Sequence, residues 1–305
     1  RQRIRRTAKE MGYFPNSVAR ALKTNRSYNL GGLFTDEANS GLTHDYFASV
    51  LESFKETAEK NDYDITFVNR NRERRRKMTY LEHVRYRGFD GVVIACVDFE
   101  DPEVAQLVAS DIPVVTIDHI FNNRIAVMSD NVKGMQSLLR YIYSCGHRRI
   151  AYIHGHPSSV TGSRLSSFYK TAEELGLKVP DEYVLEAGYR DTDGAAAATQ
   201  QLLALPCPPT CILYPDDFAC LGGMNMLREK GLRIPEDISI AGYDGLRIGR
   251  HMDPKLTTLK QDTQKLGGYA AEKLISLIEH PKTSVPEILV VEGEVYEGRS
   301  VGNIG

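Results

Sequence analysis

Short apolar runs alternate with amphipathic segments along the chain from Tyr28 onward. The apolar runs are rich in β-branched residues and have turn residues nearby, which is typical of strands buried on both faces of a parallel sheet. The segments between them have helical periodicity, and this alternation predicts βαβ units. The predicted strands are residues 30–34, 65–68, 91–95, 114–117, 150–153, 183–185, 211–214 and 238–241, and the predicted helices are residues 44–60, 74–87, 101–109, 131–144, 162–175, 192–205, 218–230 and 264–279.

These units are too many for one sheet, and they divide into two similar halves that meet near Cys145 and Gly146. We therefore predict an α/β fold of two doubly wound parallel-sheet lobes. The last helix and final strands at residues 288–296 follow both halves, so the chain is expected to cross between the lobes more than once. The predicted lobes are residues 28–145 plus 262–290 and residues 146–261 plus 291–305. A ligand is expected at the carboxyl ends of the strands, between the lobes.

The net charge of −2 over 305 residues conceals an uneven distribution of charge. Residues 1–26 contain eight Lys or Arg and one Glu, a net charge of +7, so the remainder carries −9. A basic arm on an acidic body is typical of a nucleic-acid-binding terminus, but a solvated basic terminus has the same charge. Charge alone leaves both interpretations open.

Several patterns that would indicate other classes of protein do not occur in the sequence. It has no apolar run of about 18 residues and no signal-peptide core, so we expect no membrane span and no signal peptide. It has no Walker A loop and no nucleophile elbow. The five cysteines lack metal-type spacing, so we predict reduced thiols in a cytoplasmic protein, no metal and no cofactor.

The basic segment itself has helical spacing. Ile4, Ala8 and Met11 are four and three residues apart, which predicts a short helix that ends at Gly12. Pro15 is suited to the start of a second short helix, which is too short to be stable alone in water. We therefore expect a partner helix or DNA to order it.

Four segments resemble the LacI/GalR family of transcription regulators, in the same order and over nearly the whole chain. They are Gly12–Thr24, Gly146–Ile153, Gly231–Asp244 and Pro254–Gln261. The resemblance implies a DNA-binding headpiece, a hinge helix and a two-lobed sensor related to periplasmic sugar-binding proteins. Residues 1–27 are then the headpiece remnant and the hinge. The family's helix-turn-helix precedes the hinge, so the chain is expected to begin inside the headpiece's last helix.

In that family the paired hinge helices of a dimer enter the minor groove of the operator DNA. By resemblance, Leu22 occupies the position of the leucine that wedges into a base step and kinks the duplex. Asn16, Arg20 and Lys23 are expected to contact phosphates or groove edges. The alternative for Leu22 is an ordinary packed leucine.

The resemblance also maps the family's effector-binding positions onto this chain. The charged positions are Asp130, Arg164, Asp216 and Asp244, and the candidate stacking groups are Tyr46, Phe47 and Tyr189. Carboxylates and guanidinium groups bind adjacent hydroxyls, and an aromatic ring covers the apolar face of a sugar. The sequence places each acid directly after an apolar run, and it places Arg164 at the start of the helix predicted for residues 162–175.

The chemistry of this set favours a neutral, hydroxyl-rich effector over a phosphorylated one, because three acids accompany one Arg. Ser158 stands where purine-binding members carry an Arg, which makes a purine a poorer candidate. Asp216 departs from the family's usual Asn, so a ligand should offer a hydrogen-bond donor there. Each acid has an alternative role as a helix N-cap or turn residue, and we interpret Asp217 as a cap.

We therefore predict a ligand-gated transcription regulator that is not an enzyme. Its expected partners are operator DNA, a second copy of the chain and a small effector, which is expected to be a sugar; no membrane is involved. One alternative is a solute-binding protein for sugar uptake, which requires an export signal and no hinge helix. The other is a clefted α/β enzyme that uses the acids for acid–base catalysis. The sequence does not state which effector binds, or whether it induces or co-represses.

Overall fold

The computed structural model describes residues 6–7, 10–12, 26–35, 41–69 and 78–305. The hinge residues Asn16, Arg20, Leu22 and Lys23 lie outside these ranges, as does the basic run at residues 70–77, and the predictions made for the hinge stay predictions. In the short segment before the hinge, the Met11 N–H donates to the Thr7 carbonyl over 2.9 Å. Gly12 then has a left-handed φ of +67°, which agrees with a helix that ends there.

Strands and helices alternate along the described chain. In order they are β1 (Asn29–Phe34), α1 (Asp45–Lys60), β2 (Asp64–Phe67), α2 (Tyr80–Arg87), β3 (Gly91–Ala95), α3 (Pro102–Val108), β4 (Val114–Ile117), β5 (Ile125–Ser129), α4 (Asn131–Ser144), β6 (Ile150–His154), α5 (Ser159–Glu174), β7 (Val184–Glu186), α6 (Thr192–Leu203), β8 (Cys211–Leu213), α7 (Asp217–Glu229), β9 (Ser239–Asp244), β10 (Thr257–Lys260), α8 (Thr263–Glu279), β11 (Ile288–Val291) and β12 (Glu294–Tyr296). None of these helices is long and apolar enough to cross a membrane.

Contacts group the chain into two compact units. The first comprises Arg1–Glu37, Leu51–Ala126 and Gly267–Ile288, and the second comprises Ala38–Val50, Val127–Leu266 and Leu289–Gly305. The lobe limits derived from the sequence stay a prediction. The two-sheet α/β architecture itself is confirmed, because the strands form two six-stranded, mostly parallel sheets.

The first sheet has the strand order β11-β5-β4-β3-β1-β2. Strand β1 pairs in parallel with both β2 and β3, and β3 pairs in parallel with β4. Helices α2 and α3 pack against this sheet, and Val84 and Leu107 join Val92 and Ile94 in one buried cluster. The apolar runs recognised in the sequence therefore form the centre of this sheet.

The second sheet has the order β12-β10-β9-β8-β6-β7, and its strands are parallel apart from the antiparallel edge strand β12. Successive residues of β6 point to opposite faces. Ile150 and Tyr152 join the cluster covered by α4 and α5. Ala151 and Ile153 join the cluster covered by α6 and α7. The sheet is thus buried on both faces, as its near-continuous apolar runs predict.

Two strands and two helix starts differ from the sequence prediction. The strands predicted from the sequence do not include β5 or β10. The sequence of β10 is Thr-Thr-Leu-Lys, which is not an apolar run, although Thr257 and Thr258 are buried. Helix α2 begins at Tyr80, six residues later than predicted, because Thr79 and Glu82 form a reciprocal capping box. Helix α5 begins at Ser159, because the hydroxyl of Ser158 caps it by accepting from the Thr161 N–H.

Gly222 and Gly223 allow helix α7 to approach its neighbours closely. A Cβ atom on Gly222 would lie 2.0 Å from the Thr192 carbonyl oxygen at the start of α6, and one on Gly223 would lie 2.0 Å from the Tyr214 hydroxyl. Gly222 therefore brings α7 against α6, within the same unit.

Candidate functional site

Polar residues gather where the parallel strands of the second sheet end. Asp244 is the last residue of β9, Gln261 follows β10, and Asp216 is the last residue of the turn between β8 and α7. Because carboxyl ends of parallel strands meet at one edge of a sheet, these residues converge. The structure thus brings Asp216 and Asp244 to this edge, whereas Asp130 follows β5 of the first sheet; all the predicted charged residues lie in the second unit.

Arg164 lies at the centre of this cluster, with only 4% of its surface exposed. It lies in the second turn of α5, so the prediction that it opens the helix is wrong, because α5 begins at Ser159. Its Nε donates to Asn131 Oδ1 over 2.8 Å and its Nη1 donates to the Pro215 carbonyl over 3.0 Å. Its Nη2 lies 3.7 Å from Asp244 Oδ1, beyond hydrogen-bond distance.

Aromatic rings enclose the Arg164 guanidinium. Its central carbon lies 3.6 Å above the centre of the Tyr243 ring and 5.9 Å from the centre of the Tyr189 ring. Burial opposes its charge, but Tyr243, Tyr189 and Asp244 outweigh burial and raise the pKa of Arg164 above its ordinary value. Arg164 is therefore a permanent, buried and fixed cation.

Asp244 is held by a chain of hydrogen bonds that reaches Tyr46. Gln261 Nε2 donates to Asp244 Oδ1 over 2.7 Å, and the Tyr46 hydroxyl donates to Gln261 Oε1 over 3.4 Å. The Tyr46 hydroxyl also lies 3.1 Å from Ser129 Oγ. Asp244 has a left-handed φ of +98°, a conformation that a non-glycine residue adopts only when its surroundings stabilise it. These bonds fix the direction of the carboxylate.

The aromatic residues proposed for stacking differ in their surroundings. Tyr46 is buried and Phe47 is half-buried, with the two ring centres 4.9 Å apart. Tyr189 lies over Gly155, where a Cβ atom would come within 2.2 Å of its ring. Its hydroxyl lies 2.8 Å from Thr161 Oγ1. Tyr189 is thus locked beside Arg164, and the stacking roles of all three stay predictions.

The adjacent acids Asp216 and Asp217 have internal partners. Asp216 is the N-cap of α7: its Oδ1 accepts from the Phe218 and Ala219 N–H groups at 2.8 Å, and its Oδ2 accepts from the Arg190 N–H at 2.7 Å. Burial raises the pKa of Asp216, and these bonds oppose the rise. The role of Asp216 as a ligand contact stays a prediction.

Asp217 is not the cap, so our interpretation of it was wrong by one residue. It is the first residue of α7, where its Oδ1 accepts from Thr258 Oγ1 at 2.6 Å and its Oδ2 from the Leu246 N–H at 2.5 Å. Burial raises its pKa well above the usual range. Asp217 therefore ties α7 to β10 and to the turn after β9.

Asp130 caps helix α4, since its Oδ1 accepts from the Lys133 N–H over 2.8 Å. It is half-exposed, and its sequence neighbour Asn131 is the residue that contacts Arg164. Asp130 and Asp216 therefore both have the N-cap role that the sequence offered as the alternative to ligand binding. Arg164 and Asp244 form the polar pair at the centre of the cluster.

Sequence reasoning missed four residues of this cluster. Gln261 and Tyr243 lie inside segments already matched to the family, and Asn131 follows a predicted site residue, so each had a signal. Tyr152 also lies in a matched segment, where a phenol within an apolar strand was a second signal. Among the described residues no group of three or more His, Cys, Asp or Glu could hold a metal ion. The arrangement suits hydrogen bonding to a polar ligand.

Comparisons with known proteins bear on the family and the fold of the chain. A family model for a periplasmic binding protein-like domain matches residues 139–301. The HTH-type transcriptional repressor PurR of Escherichia coli O139:H28 is 31% identical over 302 residues, which cover 97% of this chain and 86% of the repressor.

Solved structures share the fold. The transcriptional regulator CelR in complex with cellobiose has a TM-score of 0.78 at 22% identity, over 97% of this chain and 89% of that one. A LacI family regulator from Enterococcus faecium with bound ribose has a TM-score of 0.77 at 23% identity, over 91% of this chain and 100% of that one. Together with the PurR relationship, which covers nearly the whole sequence, these findings show that the chain belongs to the LacI family of transcription regulators.

Proposed function

We propose that the chain senses a small, neutral, hydroxyl-rich molecule, a sugar, and that this effector binds at Arg164 and Asp244. The observation that carries the proposal is the pairing of a buried donor with a partly buried acceptor, Nη2 of Arg164 and Oδ1 of Asp244, 3.7 Å apart. A hydroxyl group both donates and accepts, so two adjacent hydroxyls match this pair. Both groups are charged, which makes such hydrogen bonds strong.

The charge balance supports a neutral ligand. The Arg164 cation already has Asp244 beside it, and the Asp216 carboxylate also acts on Arg164. A phosphorylated effector would add further negative charge beside these acids, and the second arginine of the region, Arg190, is already paired with Asp45. Burying an unbalanced charge is costly, so a neutral ligand fits better.

Two neighbours in the fold support the choice of sugar, because one was solved with cellobiose and the other with ribose. The PurR relative is a transcriptional repressor, so we further propose that the sugar alters operator binding. In this proposal residues 1–27, with Asn16, Arg20, Leu22 and Lys23, contact DNA as part of a homodimer in the cytoplasm. The effector acts by binding one state of the protein more tightly than the other.

A thermal-shift and calorimetric screen of cellobiose, D-ribose, D-glucose and maltose tests the proposal. A sugar that binds only the folded protein raises the midpoint of unfolding. We expect Asp244→Asn to weaken binding about tenfold or more, because it removes a charge-assisted hydrogen bond worth about 1.5–3 kcal/mol. Asp237→Asn is the matched control, since Asp237 pairs with Arg233 on the surface of the same unit.

Two results would contradict the proposal. One is an Asp244→Asn variant that binds the sugar as tightly as the parent. The other is a full-length protein whose operator binding, measured by fluorescence anisotropy, does not respond to any sugar in the panel.

A further inference from the structure

Tyr152 carries a buried hydroxyl that the fold itself does not satisfy. It lies in the middle of β6 with none of its surface exposed. Among the described residues no hydrogen-bond partner exists for its Oη atom. Buried polar groups in folded proteins are nearly always paired, and an unpaired one costs free energy. A phenylalanine would fill the same space without that cost, so the hydroxyl calls for an explanation.

The position of Tyr152 connects it with the site. It shares the α4–α5 face of the second sheet with Tyr243 and Phe168. Tyr152 pairs with Leu213, and Leu213 pairs with Ala241. Tyr152 therefore lies level with Ala241, two residues further from the carboxyl edge of the sheet than Tyr243. Burial raises the pKa of the Tyr152 phenol, and the groups that act on it electrostatically are Arg164, Tyr189 and Tyr243. The ring centre of Tyr152 also lies 5.2 Å from that of Phe168, which is one turn after Arg164 on α5, so Tyr152 packs beside the residues of the site.

Arg164 has donor capacity on the same side of the site. Its Nε and Nη1 are engaged by Asn131 and the Pro215 carbonyl. Its Nη2 carries two N–H groups, and the Asp244 carboxylate lies 3.7 Å away from it. Nη2 of Arg164 and the Tyr152 hydroxyl are thus two buried donors of the same unit, and the charge of Arg164 acts on the phenol.

We propose that Tyr152 is a specificity-determining residue of the effector site, and that its hydroxyl and Arg164 Nη2 donate to one acceptor oxygen of the ligand. This inference rests on the proposed sugar-binding function and deepens it. The oxygen would be a hydroxyl, ring or carbonyl oxygen, because each of these accepts two hydrogen bonds. A site that leaves polar groups unpaired in the absence of the correct ligand rejects analogues that lack the matching oxygen.

The Tyr152→Phe variant of the whole chain tests this inference, with Tyr183→Phe as the matched control. Tyr183 is also a buried tyrosine of the second unit, but its hydroxyl donates to the Cys207 carbonyl over 2.5 Å. Two quantities are measured for each variant: the unfolding midpoint without ligand, and the affinity for whichever of cellobiose, D-ribose, D-glucose or maltose binds the parent.

The two variants should behave in opposite ways. Tyr152→Phe should leave the midpoint unchanged or higher, because it removes an unpaired buried hydroxyl, and should weaken sugar binding about tenfold or more. Tyr183→Phe should lower the midpoint and leave the affinity unchanged, because it breaks an internal hydrogen bond away from Arg164.

Each other outcome overturns the inference. If Tyr152→Phe binds the sugar as tightly as the parent, the hydroxyl does not contact the effector, while the proposed function stands. If Tyr152→Phe lowers both the midpoint and the affinity, its role is structural. If the parent binds no sugar of the panel, the proposed function fails and the inference falls with it.

Discussion

The close contact between helices α6 and α7 leads to a prediction about Gly222. A Cβ atom there would lie 2.0 Å from the Thr192 carbonyl oxygen and 2.6 Å from the carbonyl carbon, both backbone atoms that no rotamer change can move. Heavy atoms in contact normally lie about 3.5 Å apart, so Gly222→Ala must push the helices apart by more than about 1 Å.

The size of this effect follows from two opposing terms. Overpacking of this kind costs about 1–3 kcal/mol, and the better helix propensity of Ala returns about 1 kcal/mol. Because the clash is with backbone atoms, the cost lies at the upper end of that range, and we expect Gly222→Ala to lower the free energy of unfolding by about 2 kcal/mol. In a unit of this size that loss corresponds to a fall of about 4–8 °C in the unfolding midpoint.

Gly162 provides a control of opposite sign. It lies inside helix α5, where a Cβ atom would have no neighbour within 4 Å, so Gly162→Ala should raise the free energy of unfolding by about 0.5–1 kcal/mol. Urea unfolding followed by circular dichroism measures both variants. The packing argument is refuted if Gly222→Ala is as stable as the parent, or if both substitutions shift stability in the same direction.

Two further predictions concern pH and backbone strain. Burial, with a smaller effect from Arg148, lowers the pKa of His147, which is wedged between Thr210 and the Gly302 carbonyl. Below about pH 6.5, His147 is protonated in the unfolded chain but less so in the folded chain. The free energy of unfolding therefore falls as the pH drops from 7 to 5. His147→Gln should flatten that fall in urea titrations, whereas a slope equal to the parent's would contradict it; the exposed His251→Gln controls for the substitution. Arg190 has a left-handed φ of +60°, so Arg190→Gly should be about 1 kcal/mol more stable than Arg190→Ala in the same assay, and the reverse order would show that the backbone there is not strained.

Much of the fold was predictable because its signals are local. Strands β3, β4 and β6, for example, are short apolar runs. The starts of α2 and α5 were missed although their caps, Thr79 and Ser158, are also local signals. For strand β10 the local pattern carried no signal. Strand β10 is half threonine, and its pairing with β9 and β12, together with the bond from Thr258 to Asp217, makes it a strand.

The site was predictable in part. Arg164 and Asp244 were identified because the resemblance maps the family's effector-binding positions onto them, and the structure brings them within 3.7 Å of each other. The resemblance could not show that Asp216 is committed to three backbone N–H groups, because the Arg190 donor is 26 residues away in the chain. Nor could it show that Tyr46 joins Asp244 through Gln261, a contact that spans 215 residues.

The sequence by itself therefore determined the order of strands and helices, the family and the residue types available for binding, since these depend on periodicity and on short segments. The tertiary structure alone decided which side chains are used up in the fold and which keep hydrogen-bonding capacity. That distinction depends on atoms from distant parts of the chain meeting within about 3 Å. Tyr152 illustrates it: a strand residue in the sequence, it becomes a candidate for effector recognition only because no described neighbour satisfies its hydroxyl beside Arg164.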